Sequence, residues 1–275
     1  MIAGGADVAS GAALDAIVLA ALPEEMGPLR AMLGNVRLLD GEKAIWRGRW
    51  AGREVALVVT GDGERNARTQ AAAAFRRLRP RLVIAIGVAG AVSPQLALGD
   101  TLVAHQVMRE QGDAWPASAP LLAAAARLTQ ARPGALISIP RLATTVADKR
   151  RLAAVAAARA PGLAAAVDLE SAAFVAAAAA RGLPWLILRA ISDVASEELP
   201  ALLNECLDDG GAVRRARLAV GLFGQPAALL QLLLLRQRVR SCAEALAAAA
   251  TSVLAGAFER ELVAAGAHPD GGPSP

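Results

Sequence analysis

Residues 164–193 read AAAVDLESAAFVAAAAARGLPWLILRAISD, and three elements stand out in them. Ala164–Asp168 is a short apolar run ending in an acid. Ser171–Arg181 is alanine-rich and long enough for a helix. Trp185–Ala190 is a second apolar run, closed by Ile191-Ser-Asp193. A strand, a helix and a strand of these lengths make an α/β unit, in which a buried strand reads as a continuous apolar run. Ligand sites of such sheets lie beyond the strand carboxyl ends, where both runs deliver carboxylates.

The same rhythm extends outward in both directions. Strands are expected at Ala16–Leu22, Trp46–Trp50, Arg53–Thr60, Arg81–Ile86, Thr101–Val107 and Ala135–Ile139. Helices are expected at Glu24–Leu33, Glu64–Leu78, Ala119–Gln130 and Ala147–Arg159. Pro23 opens the first helix, since proline is tolerated in a first turn, and Ala51-Gly52 turns a hairpin. Alternation of this kind implies an α/β domain with a mostly parallel or mixed sheet.

Composition narrows the function class. The chain has 275 residues, 55 % of them hydrophobic, and a mean hydropathy of +0.40, which excludes a disordered protein. Two cysteines, Cys206 and Cys242, make no disulfide framework, and two histidines, His105 and His268, make a histidine-rich metal site unexpected. Tyrosine is absent, so no tyrosine acid or base is available. The net charge of +4 resides in one segment: six arginines (Arg214, Arg215, Arg217, Arg236, Arg238, Arg240) fall in a stretch without acids, and without them 23 basic residues face 25 acidic ones. With 3 % aromatics and no spread of basic residues, a nucleic-acid partner is not expected. The first residues carry no basic segment before an apolar stretch, so the expected location is cytoplasmic.

The expected divisions are a flexible lead-in (1–14), a catalytic-type α/β domain (15–198), a helical extension (199–262) and a disordered tail (263–275). Ala219–Leu235 is apolar over 17 residues but contains Gln225, Pro226 and Gln231, and falls short of the roughly 20 residues that span a bilayer. It reads as a helix that lies on a surface or packs on another subunit.

Four strand ends carry useful residues. Glu24 and Glu25 follow the first strand; acids there commonly serve the helix dipole. Thr60-Gly-Asp-Gly-Glu-Arg-Asn66 places Gly61 and Gly63 between a strand and a helix, where backbone N–H groups can hold an anion or a sugar oxygen, although an ordinary tight turn explains a lone GxG equally well. Ile86-Gly-Val-Ala-Gly-Ala-Val92 reads as glycines that close a buried strand and let a ligand approach the backbone. The fourth place is the pair of carboxylate-ending runs quoted first. Asp193 is suited to protonating a leaving group, and Glu170 to accepting hydrogen bonds from a sugar diol.

In order, Ala21-Leu-Pro-Glu-Glu-Met26, Thr60-Gly-Asp-Gly63, Gly87-Val-Ala-Gly-Ala91, Leu98-Gly-Asp100, Ala166-Val-Asp-Leu-Glu-Ser171 and Arg189-Ala-Ile-Ser-Asp193 resemble the purine nucleoside phosphorylase and nucleosidase superfamily. Within it the chain is most similar to the methylthioadenosine/S-adenosylhomocysteine nucleosidase branch, over roughly Ala16 to Ser196. The resemblance implies a three-layer α/β fold around a twisted mixed sheet, with a C-terminal helical extension here, and a homo-oligomer. It implies cleavage of the N-glycosidic bond of an adenine nucleoside, with no metal and no organic cofactor expected. Asp193 then matches the acid that donates to purine N7, and Glu25 the glutamate that activates water. Glu170 matches the residue that binds the ribose hydroxyls, Leu169 the apolar residue under the sugar, and Ser192 the serine beside the acid. Val88, Ala89 and Gly90, with Gly61 and Gly63, fall at substrate-binding positions.

Two departures from the pattern concern the nucleophile and the base. Ala85 and Val88 stand where phosphorylases carry an arginine and a hydroxyl residue for phosphate, which favours water, with Arg65 or Arg68 as the remaining sources of charge. The usual aromatic sandwich around the base has no assigned residues. The C-terminal part, together with Thr144-Thr-Val-Ala-Asp-Lys-Arg-Arg-Leu152, is similar to the hopanoid-associated phosphorylase branch. That likeness carries the alternative of a phosphate-dependent enzyme acting on a lipid-linked adenosyl substrate, with a peripheral membrane contact through 219–240. A non-catalytic nucleoside-binding module is the alternative of another class. The joint presence of Glu25, Glu170 and Asp193 disfavours it, since binding alone needs no general acid.

Overall fold

The computed structural model describes residues 14–39, 45–208 and 226–256. The expectations for 1–13 and 257–275, and for the first part of the apolar stretch up to 225, fall outside these residues.

Ten strands form one mixed sheet: β1 (Ala16–Ala20), β2 (Gly34–Leu39), β3 (Ile45–Trp50), β4 (Arg53–Val59), β5 (Val83–Ala91), β6 (Thr101–Arg109), β7 (Ala114–Pro116), β8 (Arg132–Ser138), β9 (Ala164–Asp168) and β10 (Trp185–Asp193). Strand order is β10-β6-β8-β9-β5-β1-β4-β3-β2, and β10 also pairs with β5, so five strands close a ring from which β1, β4, β3 and β2 extend. The fully apolar runs are the central strands: β1 is buried along its whole length between parallel β4 and β5. β10 is buried throughout between parallel β5 and antiparallel β6.

Helices cover both faces, giving the expected three layers. α1 (Pro23–Met32), α3 (Ala119–Thr129) and a long C-terminal helix, Pro226–Ala255, share one core with Val18, Ile84 and Leu188. α2 (Glu64–Leu78) and α5 (Ser171–Ala179) share a second with Ile17, Ala85 and Ile187, and α4 (Val146–Arg159) packs on β8 and β9 in a third. A one-turn α6 (Leu202–Glu205) precedes the long helix, called α7 below. The carboxyl half of α7 lies inside the main core: Leu246, Ala250 and Val253 are fully buried. Each burial of a leucine or valine is worth about 1.5–3 kcal/mol. Its amino half differs, with Leu229, Leu230, Leu233 and Leu234 exposed.

Two strand ends at the centre of the sheet depart from the sequence reading in a way that bears on the site. The glycines at 87 and 90 do not close β5, which runs on to Ala91 because β10 pairs with it through Gly90 and β9 pairs with Gly90 and Ala91. β10 likewise runs through Asp193, with a bulge between Ile191 and Asp193. Strands β2 and β7 were not foreseen. β2 is exposed over most of its length, so its sequence GNVRLL lacks the one-sided pattern of a half-buried strand.

Candidate active site

The antiparallel overlap of β5 and β9 brings Gly90 beside Val167, and the parallel register of β10 brings Asp193 beside Gly90. Three strand ends therefore meet at one point, the topological switch of the sheet. A cavity of about 240 Å³ opens there. Glu25, Val88, Ala89, Gly90, Leu169, Glu170, Ser192 and Asp193 line it, so eight of the ten residues expected at the site come together. Gly61 and Gly63 do not line it, although Asp62 between them does. Both glycines have φ +82°, and the Gly63 N–H donates to Glu170 Oε1 at 2.9 Å, so this turn holds a carboxylate of the protein itself.

Why glycine stands at 87 and 90 is visible in the neighbouring side chains. A Cβ on Gly87 would lie 1.9 Å from an Arg189 guanidinium nitrogen and 2.9 Å from Glu25 Oε1. One on Gly90 would lie 2.8 Å from Asp193 Oδ2. The missing side chains make room for functional groups of β10 and α1.

At one end of the cavity, Glu25 sits in the first turn of α1 and is buried, whereas Glu24 is exposed. Leu22 N–H donates to its Oε2 and Val88 N–H to its Oε1, both at 3.0 Å. The contact to Leu22 is a capping interaction for α1, so the helix-start role and the site role coexist in one side chain. Burial pushes its proton affinity up, and the nearby Arg189 charge and the backbone N–H donors only partly offset that. Glu170 is raised as well, to about 8, by burial and then by the Asp168 charge, against the opposing pull of Arg189 and the Gly63 N–H.

Arg189 and Asp168 form the buried support beneath these two acids. The Arg189 side chain pairs with Asp168 Oδ2 at 2.7 Å and also donates to Ser171 Oγ. Ser138 and Ser171 hydroxyls donate to the Asp168 carboxylate. Arg189 belongs to a quoted motif, but its role was not assigned. The available signal was a charge inside an otherwise apolar strand.

At the other end, Ser192 Oγ donates to Asp193 Oδ1 at 2.7 Å, and Lys149 Nζ contacts Asp193 Oδ2 at 2.6 Å. Lys149 was also missed as a functional residue. It looked like one charge among four in Asp-Lys-Arg-Arg, but it shares the buried face of α4 with Leu152 and Ala156 at i, i+3 and i+7. The remaining walls are apolar: Leu142, Leu199, Leu203, Leu207, Leu235 and Val239, the last two from α7.

A family model described as the phosphorylase superfamily matches residues 15–219. The chain belongs to the phosphorylase superfamily. The 5′-methylthioadenosine/S-adenosylhomocysteine nucleosidase of Marinomonas sp. (strain MWYL1) is 28 % identical over 214 residues, covering 69 % of this chain and 90 % of the relative. That of Geobacillus kaustophilus (strain HTA426) is 29 % identical over 215 residues, covering 71 % and 91 %. Among solved structures, the Neisseria meningitidis enzyme of the same name, in complex with methylthio-immucillin-A, superposes with a TM-score of 0.68 at 20 % identity, covering 88 % of this chain and 99 % of that one. The futalosine hydrolase of Helicobacter pylori superposes with a TM-score of 0.66 at 17 % identity, covering 87 % and 96 %. These structural likenesses establish the superfamily fold for this chain.

Two expectations are corrected by the geometry, and a third observation bears on the apolar walls. Arg65 and Arg68 are exposed on α2, outside the cavity lining, so they supply no charge to it. Ala85 is buried inside β5 and does not line the cavity, whereas Val88 does. No aromatic residue lines the cavity among the described residues; its apolar walls are aliphatic.

Proposed function

We propose that this superfamily member hydrolyses the N-glycosidic bond of an adenine nucleoside of the methylthioadenosine/S-adenosylhomocysteine type, with water as nucleophile. One observation carries the choice of water. Five acids, Glu25, Asp62, Asp168, Glu170 and Asp193, line the cavity, and no lysine or arginine does among the described residues. A phosphate dianion would meet acidic groups with no cation exposed to it, whereas water needs only an acceptor for its proton. The phosphate-dependent alternative is disfavoured on the same ground. The names of the relatives at 28 % and 29 % identity agree with hydrolysis.

In this reading Asp193 donates a proton to N7, the bond from the base to C1′ breaks with its electron pair moving onto the base, and positive character develops on the ribose. Water adds to C1′ and gives its proton to Glu25, whose raised proton affinity makes it the stronger base. Glu170, anchored by Gly63 N–H, meets the ribose hydroxyls, and Leu169 packs under the sugar. The leucine-lined end receives an apolar 5′ substituent.

The exposed leucines of α7 support a contact of its amino half with an apolar partner, a second subunit or a membrane surface, as expected for 219–240. No helix among the described residues is long and apolar enough to cross a membrane. The test of the reaction is to incubate the protein with 5′-methylthioadenosine and follow adenine release with and without phosphate. Equal release in both supports hydrolysis; release only with phosphate overturns it.

A further inference from the structure

An acid that gives up its proton inside an apolar cavity leaves a carboxylate there, and a buried carboxylate without a counter-charge is costly. Lys149 stands where that counter-charge is needed. It rises from the first turns of α4, is 1 % exposed, and places Nζ 2.6 Å from Asp193 Oδ2, 2.7 Å from Val194 O and 2.8 Å from Glu197 O. An ammonium has three donors, and all three are engaged by these partners, so none is left for a substrate. With Ser192 on Oδ1, both oxygens of Asp193 are fixed, while each retains a lone-pair site.

The surrounding contacts hold this arrangement from three sides. Thr145 Oγ1 caps α4 by accepting from Asp148 N–H, and Leu199 N–H donates to Thr144 O, joining the loop after β10 to the start of α4. From α7, Arg238 pairs with Glu197 Oε1 at 2.6 Å. The two buried cations divide the site: Arg189 is bound directly to Asp168, and Lys149 to Asp193.

Resting on the nucleosidase reading, we propose that Lys149 is the positioning residue of the general acid, fixing the Asp193 carboxyl and stabilising the carboxylate it becomes when N7 is protonated. In that step the Asp193 O–H bond breaks and an N7–H bond forms. The electron pair stays on the carboxylate beside the ammonium, and Lys149 keeps its own protons. Its effect should therefore be confined to substrates whose leaving group needs a proton.

The experiment compares 5′-methylthioadenosine with the 4-nitrophenyl glycoside of the same 5-methylthioribose, whose phenolate leaves unprotonated. Lys149→Met is expected to lose about 100-fold in kcat on the nucleoside and to stay within about threefold on the glycoside. Asp193→Asn should show the same selectivity, and adding Lys149→Met to it should cost nothing further on either substrate. The double variant carries no unpaired buried charge, so it supplies the comparison where Lys149→Met alone does not fold. Equal losses on both substrates, an unimpaired rate on the nucleoside, or an added loss in the double variant would overturn the proposal. Wild-type protein that cleaves the glycoside but not the nucleoside would instead overturn the adenine nucleosidase reading on which it rests.

Discussion

The two ends of the cavity use the same residue types in opposite ways. At one end, where the base is proposed to bind, Asp193 touches its cation: the Lys149 ammonium lies 2.6 Å from Oδ2. At the other end, Glu25 and Glu170 share the neighbourhood of Arg189, but its described bonds go to Asp168 and Ser171. The two glutamates feel that guanidinium only at a distance, so burial dominates and both hold their protons more tightly than usual. What sets a carboxyl apart here is whether a cation's donors are spent on it or on a neighbour. In the proposed reaction Asp193 releases a proton and Glu25 takes one up.

Substitutions at each end sharpen this contrast. Asp193→Asn keeps the shape of the side chain and removes the acid, so turnover of adenine nucleosides should fall by about 10³-fold or more. Lys149 loses its counter-charge, so Tm should fall while circular dichroism still shows a folded protein. Glu25→Gln should lower kcat by about 10²-fold with a smaller change in KM, because the acceptor for the water proton is lost while the amide oxygen can still accept from only one of the Leu22 and Val88 N–H groups. A larger effect on KM than on kcat would move Glu25 from catalysis to binding.

The smallest effect concerns stability. Glu170 is raised from 4.5 to about 8, so between those pH values the folded protein holds a proton that the unfolded chain has released. Stability from this group is therefore greatest at low pH and declines as pH rises through that window. Glu170→Gln retains an oxygen for Gly63 N–H and removes the titration. Relative to wild type, the variant should gain on the order of 1–3 kcal/mol between pH 5 and pH 8.5, seen as a rise of several degrees in Tm. A Tm difference independent of pH would show that Glu170 does not titrate in this window.

Much of the fold was legible because central strands of this sheet are covered on both faces. β9 and α2 have the limits expected from composition and run length alone, and β1 is a plain apolar run. The carboxylates were legible because strand ends of an α/β sheet are where ligands meet it. The extent of β5 was not legible. Gly87 and Gly90 resemble strand breakers locally, and what requires them is Arg189 and Asp193, about 100 residues further on. Lys149 was hidden for the same reason: its partner is Asp193, and no local pattern shows which lysine of a charged helix start will be buried against it.

The central claim is that the acid-lined, cation-free cavity admits water and turns phosphate away. Phosphorus NMR of the complete reaction of 5′-methylthioadenosine in phosphate buffer tests this most directly. The account predicts free adenine, a free reducing sugar and an unchanged inorganic phosphate resonance. A stoichiometric sugar 1-phosphate resonance would contradict it.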